Sequence, residues 1–249
     1  MKTRLLYPGT NSMIEFNLEH GEAIKAESGA MVAMSSTLDV DVRMEGGILG
    51  GLSRRFLSGE NFFFETLRAS RGAGHVLLAP SSPGDVVLLE MDGSREYNVQ
   101  KGSFLAGSET IQVNTKMQNL AQGFFSGEGF FILKITGTGT LALNSFGAIY
   151  EIKLSPGEEY IVDNHHLVAW PTTTSYTIEK ASKGWISSFT SGEGLVCKFK
   201  GPGKIYIQTR NPQAFGAWIK KLIPITAKVS GSQSANGTGV VGDILDIFT

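Results

Sequence analysis

Three glutamates in this 249-residue chain follow the same two residues. Glu60, Glu128 and Glu193 each close a Ser-Gly-Glu unit, preceded by Phe56, by Phe124 and Phe125, or by Phe189. Three carboxylates brought to one axis would make an oxygen-rich cation site, which needs short oxygen–metal distances. Three separate turns would use the same residues differently. Gly59, Gly127 and Gly192 can take the positive φ of a turn. Ser58, Ser126 and Ser191, with their glutamates, can bond its free backbone groups. Turn chemistry alone accounts for the recurrence and is the favoured reading, so no metal is expected.

Other groups capable of chemistry are few. His165 and His166 are adjacent, on a strand or turn where neighbours point to opposite faces, so they share a metal poorly. His20 and His75 stand far upstream. All four histidines read as surface or hydrogen-bonded core residues. The single cysteine, Cys197, alternates with Leu195 and Phe199 in "LVCKFK". It reads as a small core hydrophobe rather than a reactive thiol, and one cysteine supports neither an internal disulfide nor a thiolate metal site. There is no Gly-Lys-Ser/Thr of a phosphate loop and no Gly-x-Ser-x-Gly elbow. "GTGTLA" at 137–142 leads into a strand, not the helix that a dinucleotide motif requires. No cofactor and no catalytic residue is expected.

The elements that must position these groups repeat as well. The Ser-Gly-Glu units begin 68 and 65 residues apart, and a near-constant period marks stacked or symmetric units. After each comes an apolar strand ("NFFFETLRAS", "GFFILKITG", "GLVCKFKG"), a glycine turn and a second strand ("HVLLAP", "TLALNS", "KIYIQT"). Two strands split by a short glycine stretch read as a hairpin. Upstream, "AESGAMVAMSSTLDVDV", "VQKGSFLAGSETIQVNT" and "VDNHHLVAWPTTTSYTI" superpose through Ala33, Ala106 and Ala169. Leu38, Val40 and Val42 alternate with Asp39, Asp41 and Arg43, the period of a half-buried strand. "DVVLLEM" and "AIYEIKL" read as closing the first two copies.

The fold expected is all-β: three β-sandwich-like repeats about a pseudo-threefold axis, with one C-terminal helix. The units run over about 15–93, 94–157 and 158–210, within a single domain spanning 1–224. Each is too small to bury a good core alone. The helix covers 212–223, capped by Asn211, with Phe215, Trp218, Ile219 and Leu222 on one face. That stripe is expected to lie on the sheets like a lid, with Lys220 and Lys221 complementing the helix dipole. Residues 225–249 read as a Gly/Ser-rich linker and an apolar tail.

Net charge is −1, so no global field favours nucleic acid or membrane. Yet 194–242 contains no Asp or Glu while holding Lys198, Lys200, Lys204, Arg210, Lys220, Lys221 and Lys228. The stretch "GGILGGLSRRF" puts Ile48 and Leu49 among glycines ahead of Arg54 and Arg55. It is either a glycine-rich corner with its apolar residues tucked inside, the favoured reading, or an apolar-basic loop touching a membrane, an anion or another subunit. The N-terminal stretch has no apolar signal core, and no run approaches about 20 apolar residues. A cytoplasmic protein is expected.

"ESGAMVAM", "GGILGGLSRRFLSGENFF", "WPTTTSYTI" and "FTSGEGLVCKFKGPGKIYIQTR" resemble the AIM24 family, over about Ile14 to Pro224. That family holds bacterial and archaeal proteins of unknown biochemical function and a mitochondrial inner-membrane protein. The resemblance implies a fold similar to the tryptophan RNA-binding attenuation protein (TRAP-like, double-stranded β-helix-like), with three β subdomains about a pseudo-threefold axis. It supplies no catalytic residues. The leading functional expectation is a non-enzymatic scaffold that forms homo-oligomers, with a membrane surface or another protein as further partners. RNA binding through the basic third is the alternative, and a small-ligand or enzyme site between repeats is the third.

Overall fold

The computed structural model describes residues 1–42, 64–117, 131–180 and 195–223. The chain is mostly β, in antiparallel sheets, with one α-helix near the end of the described residues. After an opening strand β1 (Lys2–Leu6) come β2 (Met13–Leu18), β3 (Ala23–Glu27), β4 (Met31–Met34), β5 (Asp39–Val42), β6 (Phe64–Arg68) and β7 (Gly74–Leu78). The next six are β8 (Val86–Asp92), β9 (Tyr97–Gln100), β10 (Phe104–Ser108), β11 (Gln112–Met117), β12 (Phe131–Thr136) and β13 (Thr138–Asn144). The last six are β14 (Ile149–Leu154), β15 (Glu159–Asp163), β16 (Leu167–Pro171), β17 (Ser175–Lys180), β18 (Leu195–Lys200) and β19 (Gly203–Gln208). Helix α1 (Pro212–Leu222) follows.

One pairing scheme recurs in each set of six. The sixth strand lies between the first and third: β7 between β2 and β4, β13 between β8 and β10, β19 between β14 and β16. The fifth lies between the second and fourth: β6 between β3 and β5, β12 between β9 and β11, β18 between β15 and β17. Each set thus contributes two three-stranded half-sheets. Half-sheets of successive sets join edge to edge, giving sheets ordered β5-β6-β3-β10-β13-β8 and β11-β12-β9-β16-β19-β14.

Three apolar cores lie between successive sheets. The first holds Ile14, Phe16, Leu18, Val76 and Leu78 against Ile24 and Leu67, with Leu105 and Ala106 reaching in from the second set. The second packs Leu89, Met91, Leu141 and Leu143 against Val99, Leu133 and Ile135. The third packs Ile152, Leu154, Trp170 and Ile205 against Val162, Cys197 and Phe199. Strands at the junctions are buried along their length, so "FLAGS" and "LVAW" read as unbroken apolar or small runs. Strands away from the junctions alternate instead: in β2, Ile14, Phe16 and Leu18 are buried while Asn17 is exposed.

The structure corrects several expectations. The glycine turns do not make hairpins. β6 and β7 lie in different sheets, as do β12 and β13, and β18 and β19. A single residue, Gly137, separates β12 from β13, too few for a hairpin loop. Its φ is +109°, and a Cβ there would stand 2.3 Å from the Thr110 carbonyl oxygen, so this corner requires glycine. The strands read as closing the first two copies pair with later ones, β8 with β13 and β14 with β19. Val40, read as sharing a face with Leu38, is exposed while Leu38 is buried; β5 ends its sheet.

Trp170 anchors the third core. It is fully buried and packs edge-on against Tyr176 and Phe199, with ring centroids at 5.0 and 5.4 Å. Trp170→Ala is expected to cost about 3–5 kcal/mol, read as a lower midpoint in urea unfolding. Trp170→Phe, which keeps a ring and removes an indole N–H that has no partner among the described residues, is expected to cost markedly less.

Candidate interaction surface

Ser58, Gly59, Glu60, Ser126, Gly127, Glu128, Ser191, Gly192 and Glu193 lie outside the described residues, as do Ile48, Leu49, Arg54, Arg55 and the tail. What the structure does place is where those segments attach. Each Ser-Gly-Glu stretch connects two strands that pair antiparallel: β5 with β6, β11 with β12, β17 with β18.

The junctions between sets share one geometry. β10 pairs antiparallel with β3, setting Ala106 opposite Ala26, Gly107 opposite Lys25 and Ser108 opposite Ile24. β16 pairs with β9, setting Ala169 opposite Val99, Trp170 opposite Asn98 and Pro171 opposite Tyr97. In both, the third strand of one set joins the second strand of the set before it, at matching positions. The described residues contain these two junctions and two strands that have the same roles but no such partner. The outer edge of β4 ends the sheet β1-β2-β7-β4, and the outer edge of β15 ends the sheet β15-β18-β17.

Burial tracks pairing. Met31 and Val32 of β4 are 38% and 55% exposed, while their counterparts Phe104 and Leu105 are at 2% and 0%, and Leu167 and Val168 are at 0%. Tyr160 of β15 is 42% exposed, against 0% for Ile24 and 5% for Tyr97 at the matching positions. Ile161 beside it is also exposed. Sequence patterning sets β4 apart. Other outer strands carry charges that discourage edge pairing: Lys2 and Arg4 on β1, Asp39 and Asp41 on β5, Glu90 and Asp92 on β8, Glu151 and Lys153 on β14. β4, "MVAM", carries none.

The helix departs from expectation too. Asn211 caps it, its side chain accepting a hydrogen bond from the Ala214 N–H at 3.0 Å, with Pro212 in the first turn and Lys220 and Lys221 in the last. The apolar stripe, however, is not a buried lid. Phe215, Trp218 and Leu222 are exposed, and Gly216 is the buried residue of the helix. Phe215 touches the body through Phe146, at 5.1 Å between ring centroids, and Trp218 packs on Phe215. A 3.6-residue period makes one face apolar without deciding what that face meets.

The basic run is partly neutralised. Lys198 pairs with Glu159 at 2.9 Å, which raises the lysine's pKa and lowers the glutamate's. Lys204 pairs with Glu151 at 3.2 Å. Lys200 is exposed on the same strand as Lys198. Histidines hold structure together. His165 sits in a short 3₁₀ turn (Asn164–His166) on Asp163 at 3.1 Å, and His166 Nδ1 lies 2.7 Å from the Gln208 carbonyl oxygen. His20 and His75 meet the Ser70 carbonyl and the Ser35 hydroxyl. The Cys197 thiol is buried, and desolvation pushes its pKa up to about 12. Among the described residues, no three His, Cys, Asp or Glu gather to hold a metal, and no helix is long and apolar enough to cross a membrane.

A cavity of about 250 Å³ opens beside α1, lined by Gln100, Lys101, Ser103, Asn144, His165 and Gln208 among others. Burial lowers the Lys101 pKa. Amide and hydroxyl side chains make up most of its lining residues.

These features belong to a known fold and family. A family model described as "Mitochondrial biogenesis AIM24" matches residues 3–210. An uncharacterised protein of Streptococcus pyogenes serotype M6 is 34% identical over 86% of this chain and 88% of its own length. The chain belongs to the AIM24 family. A more distant AIM24 relative is the altered inheritance of mitochondria protein 24, mitochondrial, of Verticillium alfalfae. It is 25% identical over 64% of this chain, which matches 41% of the fungal protein. A crystal structure of an S. pyogenes protein superposes with a TM-score of 0.72 at 33% identity, covering 89% of this chain and all of that one.

One half-buried carboxyl is expected to make this AIM24 chain pH-sensitive. Desolvation raises the Glu27 pKa from 4.5 to about 7. The folded protein therefore keeps the proton up to about pH 7, while the unfolded chain releases it near 4.5. Stability is expected to fall as pH rises through that window and to level off above it. Glu27→Gln places an amide where the second set has Gln100 and is expected to remove the fall. The gain in urea-unfolding stability at pH 8 relative to pH 4 is at most about 3 kcal/mol.

Proposed function

We propose that this AIM24 protein is a non-enzymatic scaffold that works in the cytoplasm by contact, adding strands at its open sheet edges and associating with itself. The observation that supports this reading is the pair of edges, β4 and β15, that no strand covers among the described residues and that bear apolar side chains their counterparts bury. Strand addition draws affinity from main-chain hydrogen bonds and specificity from alternate side chains. The reading is supported by the four histidines being engaged in hydrogen bonds and by the thiol of Cys197 being buried. A lone protonated thiol suits a reducing compartment. Ion pairing of Lys198 and Lys204 disfavours the polyanion reading.

Light scattering over a wide concentration range tests association. The mass is expected to rise with concentration, in full-length protein and in protein lacking residues 230–249 alike. A monomer at the highest concentration would remove the reading. Association that vanishes with the tail would transfer it from the edges to the tail.

A second reading rests on α1. Phe215, Trp218 and Leu222 stand exposed beside Lys220 and Lys221, an arrangement that lies in a headgroup layer. Weak pelleting with anionic phospholipid vesicles is expected, lost in Trp218→Ser and at high salt. Equal pelleting of both proteins would exclude the helix.

A further inference from the structure

We infer that the partner of β4 is β15 of a second copy of this chain, so that copies join head to tail by the junction already used twice within each one. This rests on the strand-addition reading above and specifies its partner and register. Within one chain, the half-sheet β10-β13-β8 joins β5-β6-β3, and β16-β19-β14 joins β11-β12-β9. The ends of the array carry one half-sheet of each kind: β4-β7-β2, extended by β1, and β15-β18-β17. They are the complementary parts of a third junction.

Register follows from the two junctions present. Ala106 faces Ala26 and Ala169 faces Val99. The matching residues at the open ends are Ala33 and Val162. Antiparallel pairing then sets Met34 opposite Ile161 and Ser35 opposite Tyr160. Met31 and Val32 enter the environment that buries Phe104 and Leu105 in one junction, and Leu167 and Val168 in the other. The middle of β15, Tyr160–Val162, is apolar, and its charged residues Glu159 and Asp163 lie at the strand ends. Glu159 is held by Lys198 of the neighbouring strand, so it brings no unpaired charge to the contact.

The symmetry is a consequence. β4 and β15 are different surfaces, so the interface is heterologous: it closes into a ring when the rotation permits and otherwise grows as a filament. A twofold dimer, in which β4 meets β4, would not use this register.

Complementation tests the inference. Val32→Lys blocks one end and Ile161→Lys the other, both at exposed positions where the fold tolerates a lysine. Each variant alone is expected to stay monomeric at concentrations where the unaltered protein assembles. Mixed, they are expected to form a dimer and stop, because one good β4 still meets one good β15. Disulfide trapping fixes the register. Met34→Cys and Ile161→Cys are expected to cross-link when mixed and not when alone, the native Cys197 being buried. Cross-linking of Met34→Cys alone would show twofold pairing and overturn the proposal. In a chain carrying both Met34→Cys and Ile161→Cys, a cross-link confined to single chains would show internal closure and overturn it too. Assembly unaffected by both lysines would place association elsewhere, refuting this junction while leaving a contact function standing. A monomer in every sample would refute both.

Discussion

The structure depends on one kind of contact: backbone pairing between the third strand of one six-stranded set and the second strand of the set before it. No set closes a core by itself. β10 and β16 each bring a buried face to the set on either side, which is why their residues are almost all at or near zero exposure. The backbone groups of these strands have no access to water, so they must be satisfied by a neighbouring strand. Edge pairing therefore fuses three small cores that would be marginal alone.

Part of this was legible in the letters. Superposing the copies through Ala33, Ala106 and Ala169 places residues that hold corresponding register positions: Ala106 and Ala169 face Ala26 and Val99 across the two junctions. The inward position of Cys197 followed from its alternation with Leu195 and Phe199, and all three are buried. The start of the helix, Asn211 capping ahead of Pro212, was readable because capping is local chemistry.

What could not be read depended on partners distant in sequence. Gly137 looks like a hairpin turn, because a glycine between two apolar runs is the same text whether the chain reverses or crosses to another sheet. β8 and β14 look like endings because they follow the strands β7 and β13, yet each finds its hydrogen bonds with a strand roughly fifty residues later. The stripe of Phe215, Trp218 and Leu222 announces an apolar face but not its occupant. The open edges were missed for the same reason. "MVAM" and "FLAGS" differ little as text, and their fates differ because β10 has β3 beside it and β4 has no strand beyond it among the described residues. The absence of charge on β4 was the available signal, and it carries meaning only once the strand is known to be an edge.

Hydrogen exchange of dilute protein, followed strand by strand, measures the central claim most directly. At concentrations that keep the chain monomeric, the outward-facing amides of β4 and β15 should exchange orders of magnitude faster than those of β10 and β16, and should gain protection as concentration rises. Slow exchange in β4 and β15 equal to that of β10 and β16 in the monomer would show that those edges are already covered, and would contradict an array left open at both ends.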